Sequence, residues 1–313
     1  MTHNQPDLSV VVTVVEGEPA LTRCLEALSQ QDRAPSMEIL VPYDDTVPEV
    51  VRLVERFPAV RFLDLGSIST GITQRSAFTD HRLYDIRRAR GLRAATGKLV
   101  AILEDRGRPR ADWARAMVDL HERTACAAIG GAIENGAGGL WRWAVFFCDF
   151  GRFQAPLADD NPEYLSDTNI CYKRAALEAT QELWRDRYQE PRVHWALRRQ
   201  GMKLLLSDRP VTIQERGAVG IVPLLQERVH WARLFGQIRG REISRARCLL
   251  LAAATPLLPL LLFVRSLKRQ IGKRRNVWEF SAAAPITVVL LHFWSLGEFL
   301  GYLDCALARS SPL

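Results

Sequence analysis

Two pairs of adjacent acidic residues, Asp44-Asp45 and Glu104-Asp105, each follow an apolar run, MEILVPY and KLVAIL. Carboxylates so placed can hydrogen-bond a ribose or a base edge, or hold a divalent cation that neutralises a diphosphate. Either pair alone is also what a solvated loop or a helix N-cap looks like. Both together, with ARGLRAATG (89–97) between them, point towards a nucleotide site. Further along, Asp167 and Asn169 in LSDTNICYKR and Glu190 in YQEPRVHWALRRQG add groups that can accept a hydrogen bond or a proton. The same residues suit a turn and a helix start. No G-x-x-x-x-G-K-[ST], G-x-S-x-G or H-E-x-x-H pattern is present. P-loop, α/β-hydrolase and zincin chemistry therefore lose their main support.

The elements that must position these groups alternate in type. LSVVVTVV (8–15) is a β-branched run, followed by Glu16-Gly17 and a helical pattern with Leu21, Cys24, Leu25 and Leu28 on one face. MEILVPY, VRFLD and KLVAILE predict three more strands, and IRRARGLRAATG predicts a helix ending at Gly97. Strands alternating with helices imply an α/β domain with a mostly parallel sheet, whose ligands sit at the strands' carboxyl ends. Both acidic pairs fall there. The first run has no basic segment ahead of it, so it predicts a strand rather than a signal peptide.

On these residues the chain resembles the family 2 glycosyltransferases, inverting enzymes with a GT-A fold. The family's opening pattern is echoed by Ser9 to Val15 and by Arg23, Cys24, Leu25, Leu28 and Gln30, and its D-D-x-S motif by Asp44, Asp45 and Thr46. The stretch ARGLRAATG resembles its A-R-N-x-G-x-x-x-A-x-G segment, and Glu104-Asp105-Arg106 with Pro109 resembles its D-x-D and proline. The tail LPLLLFVR…WSLGEFLGYL resembles that of a membrane-associated bacterial subgroup. The resemblance implies a Rossmann-like GT-A domain with a C-terminal α-helical membrane-associated region, moving a sugar from a nucleotide-diphosphate sugar to a lipid-linked or saccharide acceptor in cell-envelope polysaccharide synthesis.

It also implies roles. Asp44 and Asp45 would meet base and ribose, Arg90 the nucleotide, and Asp167 and Asn169 sugar or acceptor. Glu104 and Asp105 would hold ribose or Mg2+ or Mn2+. Arg106 stands where the family usually has a metal-ligating Asp, and a guanidinium cannot ligate a cation, so either the cation moves to Glu104 and Asp105 or it is not used and Arg106 meets the diphosphate. Glu190 would be the base that deprotonates the acceptor hydroxyl, with Asp186 as the nearby alternative. Gln226 and Arg228, in QERVHWARLFGQIR, would meet pyrophosphate or acceptor. The competing reading is a catalytically impaired scaffold that binds nucleotide sugar or a partner.

The chain has 313 residues, 48% hydrophobic and 25% charged, enough for a core without disulfides or structural metal. Its six cysteines stand singly, which suits a reducing compartment. The net charge of +7 is unevenly spread: residues 226–276 carry twelve Lys/Arg against two acids. That segment brackets the uncharged run Cys248 to Val264, and a second apolar run spans Pro285 to Leu303. A helix needs about 20 apolar residues to cross a bilayer, and Pro256 and Pro259 would kink the first run. Basic flanks on both sides favour a cytoplasmic location for both. The expected organisation is a catalytic domain over 1–225 facing the cytoplasm, a basic interfacial segment over 226–247, and two apolar membrane-associated helices over 248–313. Basic residues that collar apolar runs argue against a nucleic-acid partner.

Overall fold

The computed structural model describes residues 5–69, 77–157, 162–217 and 219–307. Within them the order of elements is β1 (Leu8–Thr13), α1 (Ala20–Ser29), β2 (Met37–Tyr43), α2 (Leu53–Arg56), β3 (Val60–Asp64), α3 (Ala77–Ala94), β4 (Leu99–Glu104), β5 (Gly107–Pro109), α4 (Trp113–Arg123), β6 (Ala128–Asn135) and α5 (Leu140–Asp149). Then come β7 (Asn169–Lys173), α6 (Arg174–Glu178), α7 (Gln181–Trp184), α8 (Glu190–Arg199), β8 (Leu204–Gln214), α9 (Ile221–Gly240), α10 (Arg245–Ala254), α11 (Leu258–Lys273) and α12 (Val277–Leu307). The chain divides into two compact units. The first comprises 1–73, 82–136 and 153–216; the second comprises 74–81, 137–152 and 217–313.

The first unit is built on one sheet of eight strands in the order β3-β2-β1-β4-β7-β6-β8-β5. β1 pairs in parallel with β2 and β4, β2 with β3, and β6 with β8. The expectation of a mostly parallel sheet holds for the first half only, because β7 runs antiparallel to both β4 and β6, and β5 antiparallel to β8. That reversal matters for the site. Register places Thr13 opposite Glu104 and Leu103 opposite Asn169, so the carboxyl ends of β1 and β4 and the amino end of β7 lie side by side.

Every residue of β1 is buried, as expected for a strand covered on both faces. On one face Val10, Val12, Leu21, Leu25, Leu28, Trp113 and Met117 form the core beneath α1 and α4. On the other, α3 approaches so closely at Gly91 that a Cβ there would collide with Val11 and lie 2.9 Å from Pro42 Cγ. Asn169 ties the middle of the unit together. Its Oδ1 accepts from Trp113 Nε1 at 2.9 Å, and its Nδ2 donates to the carbonyls of Ala132 and Pro210 at 2.9 and 3.0 Å. The side chain is fully buried and all three polar positions are in use. Asn169, expected to meet sugar or acceptor, thus makes its side-chain bonds within the fold.

The second unit is helical. α12, about 46 Å long at 1.5 Å per residue, lies against α9 through small residues. A Cβ on Gly297 would sit 2.6 Å from Ala232 Cβ, and one on Gly301 would sit 3.0 Å from Gly236 Cα. Spacings of four residues on both helices (Ala232, Gly236, Gly240; Gly297, Gly301) let the backbones touch. Arg228 pairs with Asp149 through its two terminal guanidinium nitrogens, and Arg233 with Asp304 at 2.7 Å.

Replacing Asn169 by Ala leaves the Trp113 donor and two carbonyls unpaired in a dry core. We expect a loss of about 2–4 kcal/mol of stability, measured as a lower midpoint in chemical denaturation.

Candidate functional site

The aligned strand ends bring Glu104, Asp167 and Glu190 into one neighbourhood, and the group at its centre is Arg88. Arg88 is 2% exposed. Its Nη2 donates to Glu104 Oε1 at 2.7 Å and lies 2.9 Å from Asp167 Oδ2, while its Nη1 lies 3.7 Å from Asp85 Oδ1. Burial works against its charge, but the surrounding carboxylates Asp167, Glu104, Asp85 and Glu190 outweigh that and hold the guanidinium firmly ionised. Four acidic groups thus share one buried cation. Glu104 responds accordingly: burial pushes its carboxyl up to about 7, with Arg88 pulling down and Asp167 pushing up. Glu190, at the first turn of α8, is raised well above the usual carboxylate range by burial first and by Asp167 second, with Arg88 opposing. Perturbed acids gathered at a strand-end crevice are what a catalytic site needs.

A second buried pair braces the rim. Arg87 Nε donates to Asp44 Oδ2 at 2.7 Å and its Nη2 donates to Thr46 Oγ1 at 2.7 Å, both groups being about 1% exposed or less at the ion pair. Asp44 Oδ1 also accepts from the Thr46 N–H at 2.9 Å. Burial raises the carboxyl of Asp44, but the bonds from Arg87 and Thr46 prevail and hold it below its ordinary value. Asp44 is committed to holding the end of β2 against α3. Asp45, next to it, is exposed.

Asp105 serves the neighbouring loop. Its Oδ2 accepts the backbone N–H groups of Val15, Glu16 and Gly17 at 3.0, 2.9 and 2.7 Å. Burial nonetheless raises its pKa, with Arg106 and those three N–H groups opposing. Arg106 Nε lies 3.1 Å from Glu16 Oε2, so consecutive residues of this segment clamp the loop after β1 from two sides. Arg90 is exposed. It lies two positions, about 200° of helix, beyond Arg88, and the nucleotide role expected for it is not matched by a place among these carboxylates. Asp186 is also exposed. Gln226 and Arg228 belong to α9 in the second unit; Gln226 is exposed, while Arg228, expected to meet pyrophosphate or acceptor, pairs with Asp149.

The residues do not fit a divalent cation held by Glu104 and Asp105. Arg88 occupies the space between Glu104 and Asp167, Asp105 turns its Oδ2 to the loop, and the third position carries Arg106. Among the described residues no group of three or more His, Cys, Asp and Glu side chains is arranged to hold a metal.

Sequence reasoning missed Arg87, Arg88 and Asp85. The signal was present in RRARG: a glycine that seats a helix on a sheet turns the residues three and four positions before it, here Arg88 and Arg87, towards the same face.

Two outcomes follow. Arg87→Met strands a buried carboxylate at Asp44 and should cost about 3–5 kcal/mol in denaturant unfolding. Glu104 has a folded value of about 7 against an ordinary 4.5, so its contribution to stability is present below the ordinary value and is lost as pH rises towards the folded one. Glu104→Gln should therefore gain on the parent in melting temperature between about pH 5 and about pH 8, measured by calorimetry.

No family model and no curated protein matches the chain. Among solved structures it is similar to the mannosyltransferase PcManGT from Pyrobaculum calidifontis in complex with GDP-Man and Mn2+, at 16% sequence identity and a TM-score of 0.51, over 97% of this chain and 86% of that one. The likeness shows the fold alone: a mixed α/β architecture shared with that protein.

Proposed function

We propose that the chain is an inverting glycosyltransferase of the family 2, GT-A kind, which moves a sugar from a nucleotide-diphosphate sugar to a lipid-linked or saccharide acceptor at the cytoplasmic face of a membrane. The observation that carries this reading is the convergence of Glu104, Asp167 and Glu190 on buried Arg88 at the strand ends. The fold shared with a mannosyltransferase supports it, and that neighbour's GDP-Man supports a nucleotide sugar as the donor.

In this reading Glu190 takes the proton of the acceptor hydroxyl as its oxygen bonds the anomeric carbon and the nucleoside diphosphate leaves from the opposite face, a single displacement with inversion. A carboxylate in water is a weak base for a hydroxyl. Burial beside Asp167 raises Glu190 and with it the basicity the step requires. Arg88 opposes that shift, so it sets how far the base is raised while keeping Glu104 and Asp167 in place for sugar or ribose hydroxyls. Exposed Asp45 at the end of β2 is the group left to meet base or ribose once Asp44 is committed to Arg87. No step here uses a metal.

The test is a screen of nucleotide sugars for thermal stabilisation, followed by transfer assays with the ligand that binds, with and without Mn2+. A donor that binds the native state raises the melting temperature. Glu190→Gln should keep that stabilisation and lower turnover by about 100- to 10,000-fold. Because the base must be ionised to act, turnover should climb with pH along a limb set by the raised carboxyl of Glu190. Stabilisation without transfer by the parent protein would instead select the nucleotide-sugar-binding scaffold.

A further inference from the structure

α10, α11 and α12 form a helical hairpin whose two arms, Arg245–Lys273 and Val277–Leu307, are long and apolar enough to cross a membrane. Their polarity is inside out. Leu249, Leu250, Leu257, Leu260, Leu261 and Val264 are exposed, whereas Cys248, Thr255, Ser266 and Gln270 of the same arm are buried. Within α12, Thr287, Ser295 and Glu298 are buried as well, Glu298 accepting from Trp294 Nε1 at 2.6 Å and from the Tyr302 hydroxyl at 3.0 Å. Such a pattern fits a hydrocarbon surround and not water.

We propose that this hairpin is inserted from one side into a single leaflet of an anionic bilayer, lying in the membrane plane rather than crossing it. This goes beyond the glycosyltransferase reading and does not depend on it.

The first ground is what flanks α12 along its length. α9 follows it from the contact of Gly297 with Ala232 to that of Gly240 with Cys305. At 20 residues α9 is about 30 Å long, which is the thickness of the hydrocarbon core. It carries Glu227, Arg228, His230, Arg233, Gln237 and Arg239. A hairpin that crossed the bilayer would draw these groups to membrane depth, where charges are costly. At the other end of α12, Phe280 meets Phe147 of α5 with ring centroids 5.0 Å apart, and a ten-residue helix is too short to cross.

Both ends of the first arm are also tied to the segments around α9 and after α5. Cys248 Sγ donates to the Gly240 carbonyl at 3.5 Å, and Lys273 Nζ donates to the carbonyls of Gly151 and Arg152 at 3.3 and 3.4 Å. Helix α9 links the two places, since Arg228 pairs with Asp149 just before Gly151. The uncharged stretch between the ends, Cys248 to Val264, gives only about 26 Å of helix and is broken by a 3-10 turn at Thr255–Leu257. The third ground is charge. Exposed Arg247 stands before the apolar face, and exposed Arg265, Lys268 and Arg274 stand after it. Two basic margins suit one layer of anionic headgroups, whereas a span would send one of them to the far side.

The experiment uses the full chain added to preformed sealed vesicles of phosphatidylcholine and phosphatidylglycerol, with a membrane-impermeant maleimide outside. Cysteines are introduced one at a time by Ala246→Cys, Leu257→Cys and Gly272→Cys, all exposed positions, and labelling of the unsubstituted chain is subtracted. We expect the vesicles to carry the protein in flotation, positions 246 and 272 to label fully without detergent, and position 257 to label only after detergent is added. Protection of either 246 or 272 would overturn the proposal in favour of a span. Failure to float, with all three positions labelled, would overturn it in favour of water-facing core helices. The combined Arg265→Gln, Lys268→Gln, Arg274→Gln variant should lose roughly a hundredfold in partitioning onto the anionic vesicles and none onto phosphatidylcholine alone. An unchanged partition onto the anionic vesicles would overturn the headgroup assignment.

Discussion

A buried guanidinium surrounded by more negative charge than it can neutralise governs the first unit. Arg88 meets Glu104 and Asp167 directly, stands near Asp85, and feels Glu190. Removing several ions from water costs more than their mutual attraction returns unless the geometry is tight. The geometry is tight because backbone elements fix every participant. Glu104 ends a central strand, Asp167 precedes an antiparallel neighbour whose register is locked through Asn169, and Arg88 sits on a helix pressed onto β1 and β2 at Gly91. The unpaid part of the electrostatic account appears as carboxyl groups raised above their usual range. Stability given up there is reactivity gained, which is the expected character of a site that must hold a base ready.

The same constraint divides the acidic residues into two kinds. Asp44 and Asp105 accept bonds from Arg87 and from three consecutive loop N–H groups, and they hold the crevice walls in shape. Glu104, Asp167 and Glu190 crowd a cation they must share, and burial there raises Glu104 and Glu190 above the usual carboxylate range. Neighbours in sequence thus differ in kind: Glu104 and Asp105 are adjacent, yet one faces Arg88 and the other faces the loop after β1. Asp44 and Asp45 divide the same way, one buried and paired, the other exposed.

This division explains how far the sequence could be read. Apolar runs ending in acids locate strand ends, so the four parallel strands β1 to β4, and with them the places of Asp44 and Glu104 at the carboxyl ends of β2 and β4, were legible. The antiparallel insertion of β7 was not, because a five-residue buried strand such as NICYK carries no mark of its direction. Nor was the fate of individual carboxylates. Whether an Asp binds ligand or loop depends on which N–H groups and guanidinium groups the fold delivers to it, and three of the decisive partners, Arg87, Arg88 and Asp85, lie on a helix whose facing is set by Gly91.

In the second unit the composition was legible and its assignment to surfaces was not. The basic residues around the first apolar run form one class in sequence, but the structure separates them. Arg228 and Arg233 are consumed by Asp149 and Asp304 and fasten helices to one another, while Arg247, Arg265, Lys268 and Arg274 remain exposed beside apolar surface. An arginine already paired with an aspartate adds little pull towards a headgroup, so the charge available to a membrane is smaller than the count in residues 226–276 and is concentrated at the margins of the apolar face. The small residues at the α9–α12 crossing complete the arrangement. By letting the two backbones touch, Gly236, Gly297 and Gly301 keep a charged helix in contact with the most apolar one. That contact holds the C-terminal part of α12 beside a charged helix and makes its orientation a property of the helical packing itself.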